Sequence, residues 1–113
     1  MNAVITGATK GIGLAVSELF AKNGLDLCLC ARNEKDLQSL MSKLKQINPE
    51  ISVFIKVCDL SQKNQVIEFG NYCLEKLNSV DILVNNAGIF LPGNIYSPPG
   101  PHHPLVCLFS LSY

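Results

Sequence analysis

Four short apolar runs, each separated from the next by a stretch of helical period, constrain this 113-residue chain more than any other feature. The runs cover residues 2–6 (NAVIT), 25–31 (LDLCLCA), 51–57 (ISVFIKV) and 80–87 (VDILVNNA), each the length of a strand. Between the first two, Ile12, Ala15, Val16, Leu19 and Phe20 recur at three- and four-residue steps and predict a helix with one apolar face. Leu37, Leu40, Met41, Leu44 and Ile47 stripe a second helix, and Val66, Phe69, Cys73 and Leu77 a third. Boundary residues agree: Asn23-Gly24 and Asn48-Pro49 are stops, while Asn33 (with Asp36) and Ser61 are candidate caps. Strands joined by helix-length connections must run parallel, through right-handed crossovers. Runs without polar alternation suit strands covered by helices on both faces. The expected fold is therefore α/β, a partial doubly wound parallel sheet with strand order 3-2-1-4.

Hydrophobic residues make up 48% of the chain, enough to build one buried core, and its length suits one domain. Nine basic residues balance nine acidic ones, so no overall field draws the chain to nucleic acid or a membrane, and any anion site must be local. The apolar pattern begins directly after Met1, and no apolar run approaches the ~20 residues of a membrane span. The five cysteines, Cys28, Cys30, Cys58, Cys73 and Cys107, form no Cys-x-x-Cys pair. They are expected to be small buried thiols in a reducing, cytoplasmic setting, with Cys28 and Cys30 on one face of their strand.

Between the first strand and the first helix stands Thr6-Gly7-Ala8-Thr9-Lys10-Gly11-Ile12-Gly13. A helix start offers unpaired N–H groups and the positive end of the helix dipole, both suited to phosphate oxygens. The backbone must reach those oxygens without side chains in the way, which assigns Gly7 and Gly11 to the contact; Gly13 lets the helix approach the sheet. The context, strand before and helix after, is the one a Rossmann-type dinucleotide site requires. No Gly-Lys-Ser/Thr follows at the spacing of a Walker loop.

The spacing Thr-Gly-x-x-x-Gly-x-Gly, with Asn85-Asn86-Ala87-Gly88 after the fourth strand, resembles the compact branch of the short-chain dehydrogenase/reductase family. These are NAD(P)-dependent oxidoreductases. The resemblance covers residues 1–95 and implies a role for each matching position. The bend through Thr9 and Lys10, and the backbone N–H of Ile12, would serve the diphosphate. Asp59 and the backbone of Leu60 would bracket the adenine. Asn86, Ala87 and Gly88 would lie along the adenosine ribose.

An acid at the end of the second strand would select the free ribose 2′-hydroxyl of NAD. Ala31 stands there instead, followed by Arg32, whose guanidinium can fork onto a phosphate. Lys10 adds a second cation. Together they resemble the family's NADP-preferring pattern, and the expected cofactor is NADP(H). The same chemistry disfavours a methyltransferase, which uses an acid at that point.

The resemblance further implies a serine and a Tyr-x-x-x-Lys pair downstream of Asn-Asn-Ala-Gly, supplying the proton that carbonyl reduction needs. These 113 residues hold no such segment after Gly88. Tyr72 and Lys76 have the spacing but precede the fourth strand, on a helix flanking the sheet, and are read as a surface coincidence. Residues 96–105 (YSPPGPHHPL) carry four of six prolines and both histidines, which no helix interior or central strand accommodates. Adjacent His102 and His103 diverge and make no metal site. The sequence thus divides into residues 1–95, a cofactor-binding half-domain, and 96–113, an atypical Pro-rich and apolar tail. It reads as a truncated carbonyl or 3-oxoacyl reductase, inactive alone and with no catalytic residue assigned. The alternative is a non-catalytic nucleotide-binding or regulatory module that pairs with a full-length relative. Either way the fourth strand is left as an apolar edge, along which residues 105–113 fold back or another copy associates.

Overall fold

In the computed structural model residues 1–85 are described in full, together with the backbone of residues 105–108. Strand β1 (Asn2–Thr6) leads into helix α1 (Gly11–Lys22), β2 (Asp26–Ala31), α2 (Glu34–Ile47), β3 (Val53–Val57), α3 (Lys63–Leu77) and β4 (Ile82–Asn85); β5 (Leu105–Leu108) follows. All strand pairs are parallel, in the order β3-β2-β1-β4-β5. The predicted 3-2-1-4 arrangement is what forms. β5 lies beside β4 with Ile82 opposite Leu105, so part of the apolar tail does fold back along that edge. The Pro-rich residues 96–104, including His102 and His103, and the final residues 109–113 lie outside the described residues.

The chain steps from β1 to β2 to β3 in one direction, then returns through α3 to the far side of β1. Right-handed crossovers therefore place α1 and α2 on one face and α3 on the other. The core follows this division. Ala3, Ile5, Leu27, Leu29 and Val84 face the side of α1 and α2, where Leu37, Leu40 and Leu44 meet them. Val4, Cys28, Cys30 and Leu83 face α3 and pack against Val66, Phe69, Cys73 and Leu77. The α3 stripe read from the periodicity is the buried one.

Helix α1 corrects the reading. Its buried residues are Gly13, Ser17 and Ala21, whereas Leu19 is 56% exposed and Ala15 is exposed. Apolar periodicity picked out the bulky positions, but helix and sheet approach closely along a stripe of small ones; Val16 and Phe20 pack at its flank. The buried Ser17 hydroxyl is satisfied inside the helix, donating to Gly13 O at 2.7 Å.

Two caps were expected and one forms. Asn33 Oδ1 accepts from Asp36 N at 3.1 Å, but α3 has Gln62 at its N-cap, with no side-chain cap. Ser61 is engaged elsewhere: its N–H and hydroxyl both donate to Asp59 Oδ1, at 3.0 and 2.7 Å.

Tyr72 is more than a surface coincidence. Its hydroxyl donates to Ile55 O at 3.0 Å, and the ammonium groups of Lys56 and Lys76 lie 5.5 and 5.8 Å from its ring centroid. The side chain thereby fastens α3 to the edge strand β3, and desolvation raises its pKa above the usual phenol range. These contacts are structural, as its place on a flanking helix implied.

Candidate dinucleotide site

The carboxyl ends of β1, β2 and β3 bring the predicted residues from Gly7 to Leu60 to one end of the sheet. Gly7 follows β1 directly and Gly11 opens α1, with φ of 60° and 55°. Both angles lie in the left-handed region, where a side chain costs ~1–2 kcal/mol. A Cβ on Gly11 would meet nothing within 4 Å, so its surroundings are open as well. Thr9 is half-buried within the bend, Lys10 is exposed at the N-cap, and Ile12 is half-buried in the first turn. Gly13 is buried, as its assigned role in helix packing requires.

The start of α1 is furnished for an anion. No side chain caps it, and its first turn carries no acid. By contrast, the first turn of α2 is capped by Asn33 and holds Glu34 and Asp36. Uncapped N–H groups and the positive dipole end then remain for a ligand.

Arg32 follows the last residue of β2 and is exposed. Among the described residues the one salt bridge joins Lys43 to Glu18, so neither Lys10 nor Arg32 is held in such a pair. Asp59 sits two residues beyond β3, close to Arg32: the β2–β3 pairing continues past the strand with Cys58 N–H donating to Ala31 O at 3.0 Å. The Ser61 hydroxyl and backbone N–H, with a lesser contribution from Arg32, hold the Asp59 carboxyl below its usual range. Asp59 is therefore the residue that shapes its own turn. Leu60 sends its side chain into the core beside α3, leaving its backbone for any ligand contact. Asn86, Ala87 and Gly88 lie outside the described residues; the preceding Asn85 ends β4 and its Oδ1 accepts from buried Thr6 Oγ1 at 3.1 Å.

Of three supporting residues, Cys30 and Gln65 carry no sequence signal beyond a plausible core or surface position, while Thr6 opens the glycine motif without a role read for its own side chain. Cys30 O accepts from Ala8 N–H at 3.2 Å and docks the glycine bend onto β2. Gln65 Oε1 accepts from Asp59 N–H at 2.7 Å. Thr6 ties the ends of β1 and β4 through Asn85.

A parallel sheet whose connections diverge on either side of β1, with an open glycine bend at the carboxyl end of that strand, defines a dinucleotide-binding α/β domain. Residues 1–101 match the family model for short chain dehydrogenases, and the chain belongs to that family. It is 35% identical over 95 residues to a 3alpha-hydroxysteroid dehydrogenase of Mediterraneibacter gnavus, covering 84% of this chain and 38% of that protein. It is 40% identical over 88 residues to the 3-oxoacyl-(acyl-carrier-protein) reductase FabG of Chlamydia pneumoniae, covering 78% and 35%. Among solved structures, an NADPH-bound short chain oxidoreductase of Pseudomonas aeruginosa superposes with a TM-score of 0.72 at 42% identity, over 76% of this chain and 34% of that one. An alcohol dehydrogenase of Thermococcus sibiricus complexed with 5-hydroxy-NADP gives 0.68 at 38% identity, over 73% and 34%. This chain thus spans well under half the length of these relatives.

Proposed function

We propose that this chain binds NADP(H) and forms the cofactor-holding part of a carbonyl reductase acting on ketones or 3-oxoacyl groups. The open, uncapped glycine bend between β1 and α1, flanked by Lys10 and Arg32 with Ala31 and no acid at the end of β2, is the observation that carries this reading. When bound, the nicotinamide would supply the hydride. The residues here have other tasks. Gly7, Thr9, Gly11, Ile12 and Gly13 form the bend and helix start that receive the diphosphate. Arg32 and Lys10 oppose the charge of the 2′-phosphate. Asp59 and the backbone of Leu60 border the adenine, and Asn86, Ala87 and Gly88 the adenosine ribose. Proton donation is assigned to none of them. Residues 1–95 make the cofactor unit in this reading and 96–113 an atypical tail, of which Leu105–Leu108 pairs with β4. The FabG relative and the NADP(H)-bound structures favour the same cofactor and substrate class.

Among the described residues no helix is long and apolar enough to cross a membrane. Four free, buried cysteines support a reducing, cytoplasmic setting.

The test is a fluorescence titration of the 113-residue chain with reduced cofactors. NADPH is expected to respond saturably, with NADH binding about tenfold or more weakly through loss of a charge-assisted contact. Equal affinity for the two would defeat the 2′-phosphate assignment, and no binding of either would defeat the whole reading.

A further inference from the structure

Helix α3 begins without a side-chain cap, although two side chains beside its start are suited to capping bonds. Ser61 precedes the N-cap Gln62 and is the cap that the sequence predicts. Gln65 holds the third helical position, from which a Gln commonly reaches back to the N-cap amide. Both turn to Asp59 instead. Gln65 Oε1 receives Asp59 N–H at 2.7 Å, ahead of the cap. Ser61 N–H and hydroxyl donate to Asp59 Oδ1 at 3.0 and 2.7 Å, and Gln62 N–H donates to Asp59 O at 3.0 Å.

These bonds leave Asp59 little freedom. Its N–H, its C=O and one carboxylate oxygen are each engaged, while none of the described hydrogen bonds uses Oδ2. The helix that grips it is itself anchored. Cys58 N–H donates to Ala31 O at 3.0 Å and Cys58 Sγ to Gln65 O at 3.3 Å, which joins the ends of β2 and β3 to the first turn of α3. Asp59 and Gln65 are both half-buried, so the bond between them is partly withdrawn from water. The Ser61 donors keep the Asp59 carboxyl below its usual range, so at neutral pH Oδ2 is an acceptor alone. A fixed acceptor beside a base discriminates: it favours an amino group and repels a carbonyl.

We infer that Gln65 and Ser61 are positioning residues: Gln65 fixes the Asp59 backbone and Ser61 its carboxylate, so that Oδ2 accepts from the exocyclic amino group of adenine and selects this base over one with a carbonyl there. This rests on the cofactor reading above, which sets the adenine beside Asp59. Neither Gln65 nor Ser61 is assigned a contact with the ligand. Their effect is preorganisation, since a carboxylate that must be ordered on binding gives less affinity for the same contact.

The experiment titrates the 113-residue chain with NADPH and with its hypoxanthine analogue, in which a carbonyl replaces the amino group. Both report through the same reduced nicotinamide. The unmodified chain binds NADPH about tenfold or more tightly than the analogue, the worth of one hydrogen bond to a charged group. Gln65→Met keeps the length and helix propensity of the side chain but removes its acceptor. In that variant NADPH affinity falls about three- to tenfold and that of the analogue by less than about twofold. Gln65→Glu retains an acceptor oxygen and keeps the preference for NADPH. Ser61→Ala, at an exposed position, narrows the preference about two- to threefold, and it carries the test if Gln65→Met does not fold. Equal weakening of both ligands by Gln65→Met would make its contact merely structural and overturn the inference. So would an unchanged preference in Gln65→Met and Ser61→Ala, a loss in Gln65→Glu as large as that in Gln65→Met, or NADPH binding by the unmodified chain without any preference of base. Failure of the unmodified chain to bind NADPH would overturn the cofactor reading, and this inference with it.

Discussion

Replacing Arg32 with alanine is expected to weaken NADPH binding by about ten- to hundredfold while changing NADH affinity by less than about threefold. Arg32 stands immediately beyond β2, next to Ala31 at the place where an NAD-selective domain carries an acid, and it is exposed and outside the described salt bridge. Its guanidinium offers paired donors to a phosphate, and a charge-assisted contact of that kind is worth roughly 1.5–3 kcal/mol. NADH lacks the 2′-phosphate, so it has nothing to lose when the guanidinium goes. Lys10→Ala should act in the same direction with a smaller effect, because a flexible ammonium gives less geometry to the contact. Arg32→Glu should go further and reverse the preference. Parallel titrations with both cofactors provide the check. Equal weakening of NADPH and NADH by Arg32→Ala would mean that Arg32 supports the fold of the site and does not read the 2′ position.

The largest stability effect is expected at Phe69. It is fully buried in α3 against Val4, Cys28 and Leu83, on the face of the sheet that α3 covers. Phe69→Ala removes a ring from a packed core, at a cost of about 3–5 kcal/mol. Domains of this size have only ~5–15 kcal/mol in total, so the variant should unfold at much lower urea or lose its cooperative transition. Leu19→Ala is the matched contrast. Leu19 belongs to the apolar stripe read from the α1 sequence, yet it is 56% exposed, and its removal should change stability by no more than about 0.5 kcal/mol. Urea melts followed by circular dichroism compare the two. A Leu19 loss as large as that at Phe69 would contradict the packing of α1 through Gly13, Ser17 and Ala21.

These two residues also show what the sequence makes legible. Phe69 belongs to a stripe of large apolar residues, and burying such a stripe is the main way a helix gains stability, so its position could be read directly. The α1 face could not. Close helix–sheet approach selects for small side chains, and Gly, Ser and Ala give no apolar periodicity to detect. Parallel pairing follows from the β-α cadence and crossover handedness, and the order 3-2-1-4 from the doubly wound pattern that this cadence and the glycine bend after β1 fit. Strand β3 begins at Val53, two residues inside the apolar run, because Ile51 turns into the core before the strand starts. At the site, the glycine bend, Arg32 and Asp59 were visible because their chemistry is tied to spacing. Cys30 and Gln65 were not: their importance depends on which backbone groups they meet, and that is settled only once β2, β3 and α3 are packed together.

The central claim is that the bend from Gly7 to Gly13 receives the phosphates of an adenine dinucleotide. The most direct measurement titrates the 113-residue chain with adenosine 2′,5′-bisphosphate while following assigned backbone amides. The account predicts saturable shifts at Gly7, Gly11 and Ile12, at Arg32 and at Asp59, with none in the groove formed by Met41, Lys45, Val53 and Phe54. Shifts centred on that groove, with the glycine bend unmoved, would contradict it.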